Sequence, residues 1–248
     1  MGPAIDLSDT ATIVVGASRG LGRGIATALA EAGAPVIAVA RSTGLAAEFG
    51  GSIKPEVADA TDARVAAGLL DRYEPRAVIV VAGARPLIRP LQYQTWEAFS
   101  VNWHTDVRIA FHWLREALLK PLRRGSRVIV ISSGAALQGS PLSGGYAGAK
   151  ATQRFITAYA RDEASRAGLD LTFTAVLPRI TPLTDLGRPA VAAYAARSGQ
   201  TEEEYLQQFG APLTPELAGA AMVELVRADA ETVAPEYLLT GAGLQKLS

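Results

Sequence analysis

The stretch Thr12-Ile13-Val14-Val15-Gly16-Ala17-Ser18-Arg19-Gly20-Leu21-Gly22-Arg23-Gly24-Ile25-Ala26 runs from an apolar segment through a glycine-rich turn into a helical pattern. Glycine, with no Cβ, permits a tight turn and lets the backbone approach a ligand closely. The first N–H groups of the following helix have no partner within it and attract an anion such as a pyrophosphate. The spacing is Gly-x-x-x-Gly-x-Gly, not the Gly-x-Gly-x-x-Gly of the dinucleotide fingerprint. On glycine spacing alone a plain β-to-α turn reads equally well. A strand before and a helix after it favour nucleotide binding.

The rest of the chain repeats the alternation. Strands are expected at Thr12–Val15, Pro35–Ala40, Ser52–Val57, Ala77–Val81, Arg127–Ser132, Asp170–Val176 and Glu236–Leu239. Helices are expected at Gly22–Ala32, Asp62–Asp71, Trp96–Leu119, Gly145–Ala167, Glu202–Phe209 and Pro215–Arg227. Strands alternating with helices predict an α/β fold with a doubly wound parallel sheet. The continuous apolar runs Val78–Val81 and Val128–Ile131 suit strands covered on both faces. Ligands of such sheets bind beyond the carboxyl ends of the strands, where Gly16, Arg41, Asp59, Gly83, Ser133 and Pro178 all fall. Residues 179–212 form the longest irregular stretch, with Pro182, Gly187, Pro189, Gly199 and Gly210 separating short helical pieces. A long excursion at a ligand-binding edge is a candidate lid. A variable surface excursion is the plainer alternative.

Composition narrows the classes of function. At 248 residues with no internal break, the chain is expected to form one domain, residues 1–248, with the lid at about 179–213. The formal net charge is zero at pH 7, so no broad electrostatic case for nucleic acid or an anionic membrane arises. The absence of cysteine excludes disulfides, thiolate metal sites and cysteine nucleophiles. His104 and His112 are too few for a histidine-rich metal site. Gly2, Pro3 and Asp6 open the chain without a basic segment followed by an apolar one, and no stretch approaches the roughly 18 apolar residues of a membrane span. A cytoplasmic protein is the default expectation.

The residues with chemistry to offer are Ser133, Tyr146 and Lys150. Tyr146-Ala147-Gly148-Ala149-Lys150 sets a phenol and an ammonium at i and i+4, on one helix face. A free phenol titrates at about 10, and a nearby cation favours phenolate, which prepares a tyrosine for general acid–base work. Ser133 follows the apolar run Val128–Ser132 and would place its hydroxyl at a strand end. Tyr-x-x-x-Lys alone is weak, because helices often carry such pairs.

In combination these features resemble the short-chain dehydrogenase/reductase family over roughly Ala11 to Gly243. The glycine turn fits the family's Thr-Gly-x-x-x-Gly-x-Gly, with Val15 in place of the threonine. Asn102, Ser133, Tyr146 and Lys150 match the catalytic tetrad in order and spacing, and Asp59 matches the acid that usually contacts adenine. The resemblance implies a seven-stranded Rossmann-type parallel sheet, a homodimer or homotetramer, no metal, and hydride transfer between NADP(H) and a carbonyl or secondary alcohol. It implies that Tyr146 exchanges the proton, Ser133 orients the oxygen, Lys150 holds the nicotinamide ribose and Asn102 positions a water. Cofactor contacts are implied for Gly16, Ser18, Arg19, Gly20, Leu21, Gly22, Arg41, Asp59, Ala60, Ala82, Gly83, Tyr146, Lys150, Pro178 and Ile180.

The choice of NADP(H) rests on the end of the second strand. Ala40 stands where NAD enzymes of the family carry an acid for the ribose hydroxyls, and Arg41 next to it can pair with a 2′-phosphate. Arg19 is a second cation for that phosphate. Val80-Val81-Ala82-Gly83 keeps only half of the family's Asn-Asn-Ala-Gly, and Pro178-Arg179-Ile180 replaces Pro-Gly. Leu183 stands where a threonine is usual, with Thr181 and Thr184 as substitutes. Residues 84–87, 137–140 and the lid are expected to border the substrate, with Arg85, Arg89, Gln138 and Arg179 giving a polar or anionic leaning. Two other readings stay open: a non-catalytic NADP(H)-binding sensor or scaffold, and an NAD-using alcohol dehydrogenase.

Overall fold

The computed structural model describes residues 6–8, 11–42, 53–120 and 122–247. Gly2 and Pro3, and Ser52 at the expected start of the third strand, lie outside them. The strands are β1 (Thr12–Val15), β2 (Val36–Ala40), β3 (Ile53–Val57), β4 (Ala77–Val80), β5 (Ser126–Ile131), β6 (Leu171–Pro178), β7 (Glu236–Thr240) and β8 (Gly243–Lys246). They form one sheet in the order β3-β2-β1-β4-β5-β6-β7-β8. Seven strands are parallel, as the alternation predicts. The eighth is an addition: Thr240 pairs with Gly243, and β8 turns back antiparallel on β7. Gly243 takes φ +99°, a conformation natural only to glycine, and the strand that follows has four residues, too few to carry a pattern.

Residues that read as unbroken apolar runs divide between the two faces. Val14, Ala38, Ile79, Ile129 and Val176 pack with α1 (Gly20–Glu31) and α9 (Pro215–Arg227). Ile13, Val15, Ile37, Val78, Val128 and Phe173 pack on the other face with α2 (Ala63–Tyr73), α4 (Arg108–Leu119) and α6 (Gly144–Arg166). The period of two in a strand thus serves two cores. Trp113, fully buried, is the largest side chain of the second core.

The expected helix Trp96–Leu119 is present but not uniform. α3 (Trp96–Asn102) and α4 are joined by a wider π-type turn, Trp103–Val107. Such turns are often found at functional sites. α3 reaches α6 closely: a Cβ on Gly145 would lie 1.8 Å from the carbonyl oxygen of Phe99. Within the expected lid are α7 (Gly187–Arg197), which the sequence pattern left among short helical pieces, and α8 (Glu202–Gln207). The Thr201 side chain caps α8, and Glu204 reaches back to Thr201 to complete a capping box. A short helix α5 (Ala135–Gln138), also unexpected, follows Ser133.

Candidate active site

The strand order reverses direction between β1 and β4, and a cleft of about 600 Å³ opens beyond their carboxyl ends. Gly16 leaves β1 at φ +95°, and a Cβ there would lie 2.6 Å from the amide nitrogen of Ala82. A Cβ on Gly22 would lie 2.1 Å from the Gly16 carbonyl oxygen. The turn therefore closes only with glycine at both positions. α1 starts without a side-chain cap and without an acid in its first turn, which leaves its N–H groups available to an anion. Its donors and missing carboxylates fit the pyrophosphate of a dinucleotide.

Every residue for which a cofactor contact is expected lines this one cleft: Gly16, Ser18, Arg19, Gly20, Leu21, Gly22, Arg41, Asp59, Ala60, Ala82, Gly83, Tyr146, Lys150, Pro178 and Ile180. Ser133 lines it as well. Arg41 is exposed at the end of β2. Arg19 lies at the rim, 4.0 Å from Asp185, and Arg85 donates to the same carboxylate at 3.1 Å. The Asp59 carboxyl accepts from the Thr61 amide at 2.9 Å and from its hydroxyl at 2.8 Å, bonds that hold it below the usual carboxylate range.

The tetrad residues fall into two layers. Ser133 and Tyr146 face the cleft, and the Tyr146 hydroxyl has no protein hydrogen-bond partner among the described residues. Lys150 lies beneath, only 4% exposed, with Nζ 5.5 Å from the centre of the Tyr146 ring. The Ser132 hydroxyl donates to the Lys150 carbonyl at 2.8 Å and ties α6 to the end of β5. Asn102 is placed differently from the other three. It does not line the cleft; it is buried, and its Nδ2 donates to the Ala84 carbonyl at 2.9 Å and to Asp106 Oδ1 at 3.2 Å.

Asp106 and Gln153 were not singled out in the sequence. Asp106 is completely buried, accepts from the Ala84 amide at 2.8 Å through Oδ1, and brings Oδ2 to 3.3 Å from Lys150 Nζ. Gln153 accepts from Lys150 at 2.9 Å and donates to the Asp106 carbonyl at 2.8 Å. The available signals were positional: Asp106 is i+4 from Asn102, and Gln153 is i+3 from Lys150.

The residues expected to border the substrate divide between the cleft wall and positions away from it. Residues 84–86, 137–140 and Arg179 line the cleft, whereas Leu87 and Arg89 do not. The segment expected as a lid supplies an aromatic wall that the sequence did not reveal. Tyr194 stacks on Tyr205 at 6.2 Å, and Tyr205 meets Phe209 edge-on at 5.3 Å. Burial pushes the Tyr205 phenol upward. The Tyr194 hydroxyl accepts from the Leu142 amide at 3.1 Å and shares a short hydrogen bond with Ser140, which fastens α7 across the cleft. Arg179 projects over Phe209, 6.0 Å from the ring centre. Thr181 is buried and donates to the Leu213 carbonyl at 2.5 Å, a structural engagement. Thr184 accepts from the Gly187 amide at 3.0 Å and sits beside Gly20.

Comparison with known proteins agrees with this architecture. Residues 10–195 match the model of the short chain dehydrogenase family, so the chain belongs to that family. It is an oxidoreductase of the CH–OH/C=O type that works with a nicotinamide cofactor and a small-molecule substrate. Its fold is similar to the crystal structure of a short chain dehydrogenase from Mycobacterium avium, with a TM-score of 0.75 and 23% identity over 98% of this chain and 86% of the other. No curated protein matches the sequence. No described helix is long and apolar enough to cross a membrane.

Proposed function

We propose that this protein is an NADP(H)-dependent carbonyl reductase of small or medium organic substrates. The observation that carries the reading is the opening of Ser133, Tyr146 and the glycine turn onto one cleft, with the Lys150 ammonium beneath the Tyr146 ring. The bound cofactor supplies the hydride; the protein supplies placement and protons. Tyr146 gives a proton to the carbonyl oxygen in reduction and takes one in oxidation. Ser133 donates to the same oxygen and orients it, and a donor aimed where negative charge develops stabilises the transition state. Lys150 offers positive charge to the phenol and to the nicotinamide ribose. Asn102 acts from one layer back, through the Ala84 carbonyl and Asp106.

NADP(H) is favoured over NAD by the lack of an acid at Ala40 and by exposed Arg41 beside it. The lid, about 179–213, closes the substrate side. Its aromatic wall and Arg179 favour a substrate with a planar or apolar body and a polar or anionic end. Exposed Phe111 on α4 and Phe155 and Tyr159 on α6 support a homodimer or homotetramer that uses these two helices. A cytoplasmic location is part of the same proposal. The test is NADPH oxidation across ketones, aldehydes and 1,3-dicarbonyls, with NADH in parallel. Turnover of at least one class with NADPH preferred is expected. NADPH binding without turnover on any class would replace the enzyme by a cofactor sensor.

A further inference from the structure

Lys150 has three N–H donors and three protein acceptors around them: Gln153 Oε1 at 2.9 Å, the Ile131 carbonyl at 3.3 Å and Asp106 Oδ2 at 3.3 Å. Only the last carries charge. An ammonium that is 4% exposed cannot rely on water, and a buried charge is tolerated when it is paired. Asp106 is itself held on its other side. Oδ1 takes the Ala84 amide and the Asn102 amide group, while Oδ2 has no hydrogen-bond partner among the described residues and pairs with the ammonium at 3.3 Å. A Cβ on Gly83 would lie 2.6 Å from Oδ2, so the strand end leaves room for the carboxylate only because residue 83 is glycine.

Val80-Val81 stands where the family carries two asparagines. In their absence the segment after β4 is held at Ala84, on both its amide and its carbonyl, by Asp106 and Asn102 of the facing helix. One carboxylate thus does two things: it anchors this segment and it fixes Lys150. We propose that Asp106 is the positioning residue of Lys150, the counter-ion that holds the ammonium aimed at the nicotinamide-ribose end of the cleft before the cofactor arrives. The inference rests on the cofactor reading above. Asp106 lies at the wall of the cleft and is assigned its role through Lys150.

The test compares two ligands in four proteins. NADPH engages the whole cleft; 2′,5′-ADP engages only the adenosine end. Both are titrated into the wild type, Asp106→Asn, Lys150→Met and the double variant. Asp106→Asn keeps the side-chain shape and the acceptor for Ala84, and removes the charge. Its NADPH affinity is expected to fall at least about fivefold, within the coupling range of contacting residues, with 2′,5′-ADP changed less than about twofold. In the Lys150→Met background the same substitution should change NADPH affinity by less than about twofold.

Equal weakening of both ligands, or unchanged NADPH affinity in a folded Asp106→Asn, overturns the inference while leaving the cofactor reading intact. A wild type that binds neither ligand removes the cofactor reading and this inference with it. Should Asp106→Asn fail to fold, the double variant, in which neither charge is left alone, must recover a cooperative melt; failure to do so overturns the pairing.

Discussion

Ala40 and Arg41 show how much can hang on two adjacent side chains. Ala40 is buried at the end of β2 and offers nothing to a ribose hydroxyl, while Arg41 is exposed at the same strand end. A guanidinium pairs with a phosphate dianion through charge-assisted hydrogen bonds, and each such bond contributes about 1.5–3 kcal/mol. Arg41→Ala is therefore expected to weaken NADPH binding roughly tenfold or more and leave NADH within about twofold, as read by parallel fluorescence titrations. Equal loss for both would assign Arg41 to the surface. At this scale the sequence was readable where a residue type has one chemical use. Ser133, Tyr146, Lys150 and the glycines were of that kind, and they share the cleft. Asp106 was not, because an acid in a helix is ordinarily solvated, and only the packing of Ala84 against it reveals its burial. Asn102 was legible by position, but its layer behind the cleft wall was not.

Helix contacts, not helix propensities, bring the site together. α3 and α6 touch where Gly145 faces the Phe99 carbonyl, a close approach that residue 145 permits because it has no side chain, and just beyond α3 Asp106 comes against Lys150. Gly145→Ala must push the two helices apart or strain the start of α6. Overpacking of this kind costs about 1–3 kcal/mol, to be read as a lower midpoint of denaturant unfolding with an unchanged slope. Because α6 carries Lys150 and the turn that continues α3 carries Asp106, kcat is expected to fall further than the loss of stability accounts for. An unaltered variant would mean that the close approach is not needed. The bounds of α9, Pro215–Arg227, were readable, and the Thr214 cap and Pro215 in its first turn are local chemistry that fixes its start. The π-type turn after Asn102, helix α7 and strand β8 were not. The turn keeps a helical pattern, α7 starts at Gly187 with Pro189 in its first turn, and β8 depends on pairing with β7.

For the whole molecule, the order β3-β2-β1-β4-β5-β6-β7-β8 decides where chemistry can happen. The chain crosses the sheet between β1 and β4, both strands end at the crevice, and β5 and β6 deliver Ser133 and Pro178 to the same edge. Fold class was readable from the alternation of elements because a parallel sheet needs crossover helices. The aromatic wall of Tyr194, Tyr205 and Phe209 was not, because Tyr194 on α7, Tyr205 on α8 and Phe209 just after α8 meet only through tertiary packing. The two cores on opposite faces support this edge, and Trp113→Ala in the second is expected to cost about 3–5 kcal/mol by thermal or denaturant unfolding. A smaller loss, near that of a surface change, would contradict its place at the centre of that core. The central claim is that Tyr146 exchanges a proton with the substrate in a cleft that holds NADP(H). It is tested most directly by comparing NADPH affinity and single-turnover NADPH oxidation in the wild type and Tyr146→Phe. The account predicts affinity within about twofold and a rate lower by roughly 10²–10⁴. Retained turnover in a folded, cofactor-binding Tyr146→Phe would contradict it.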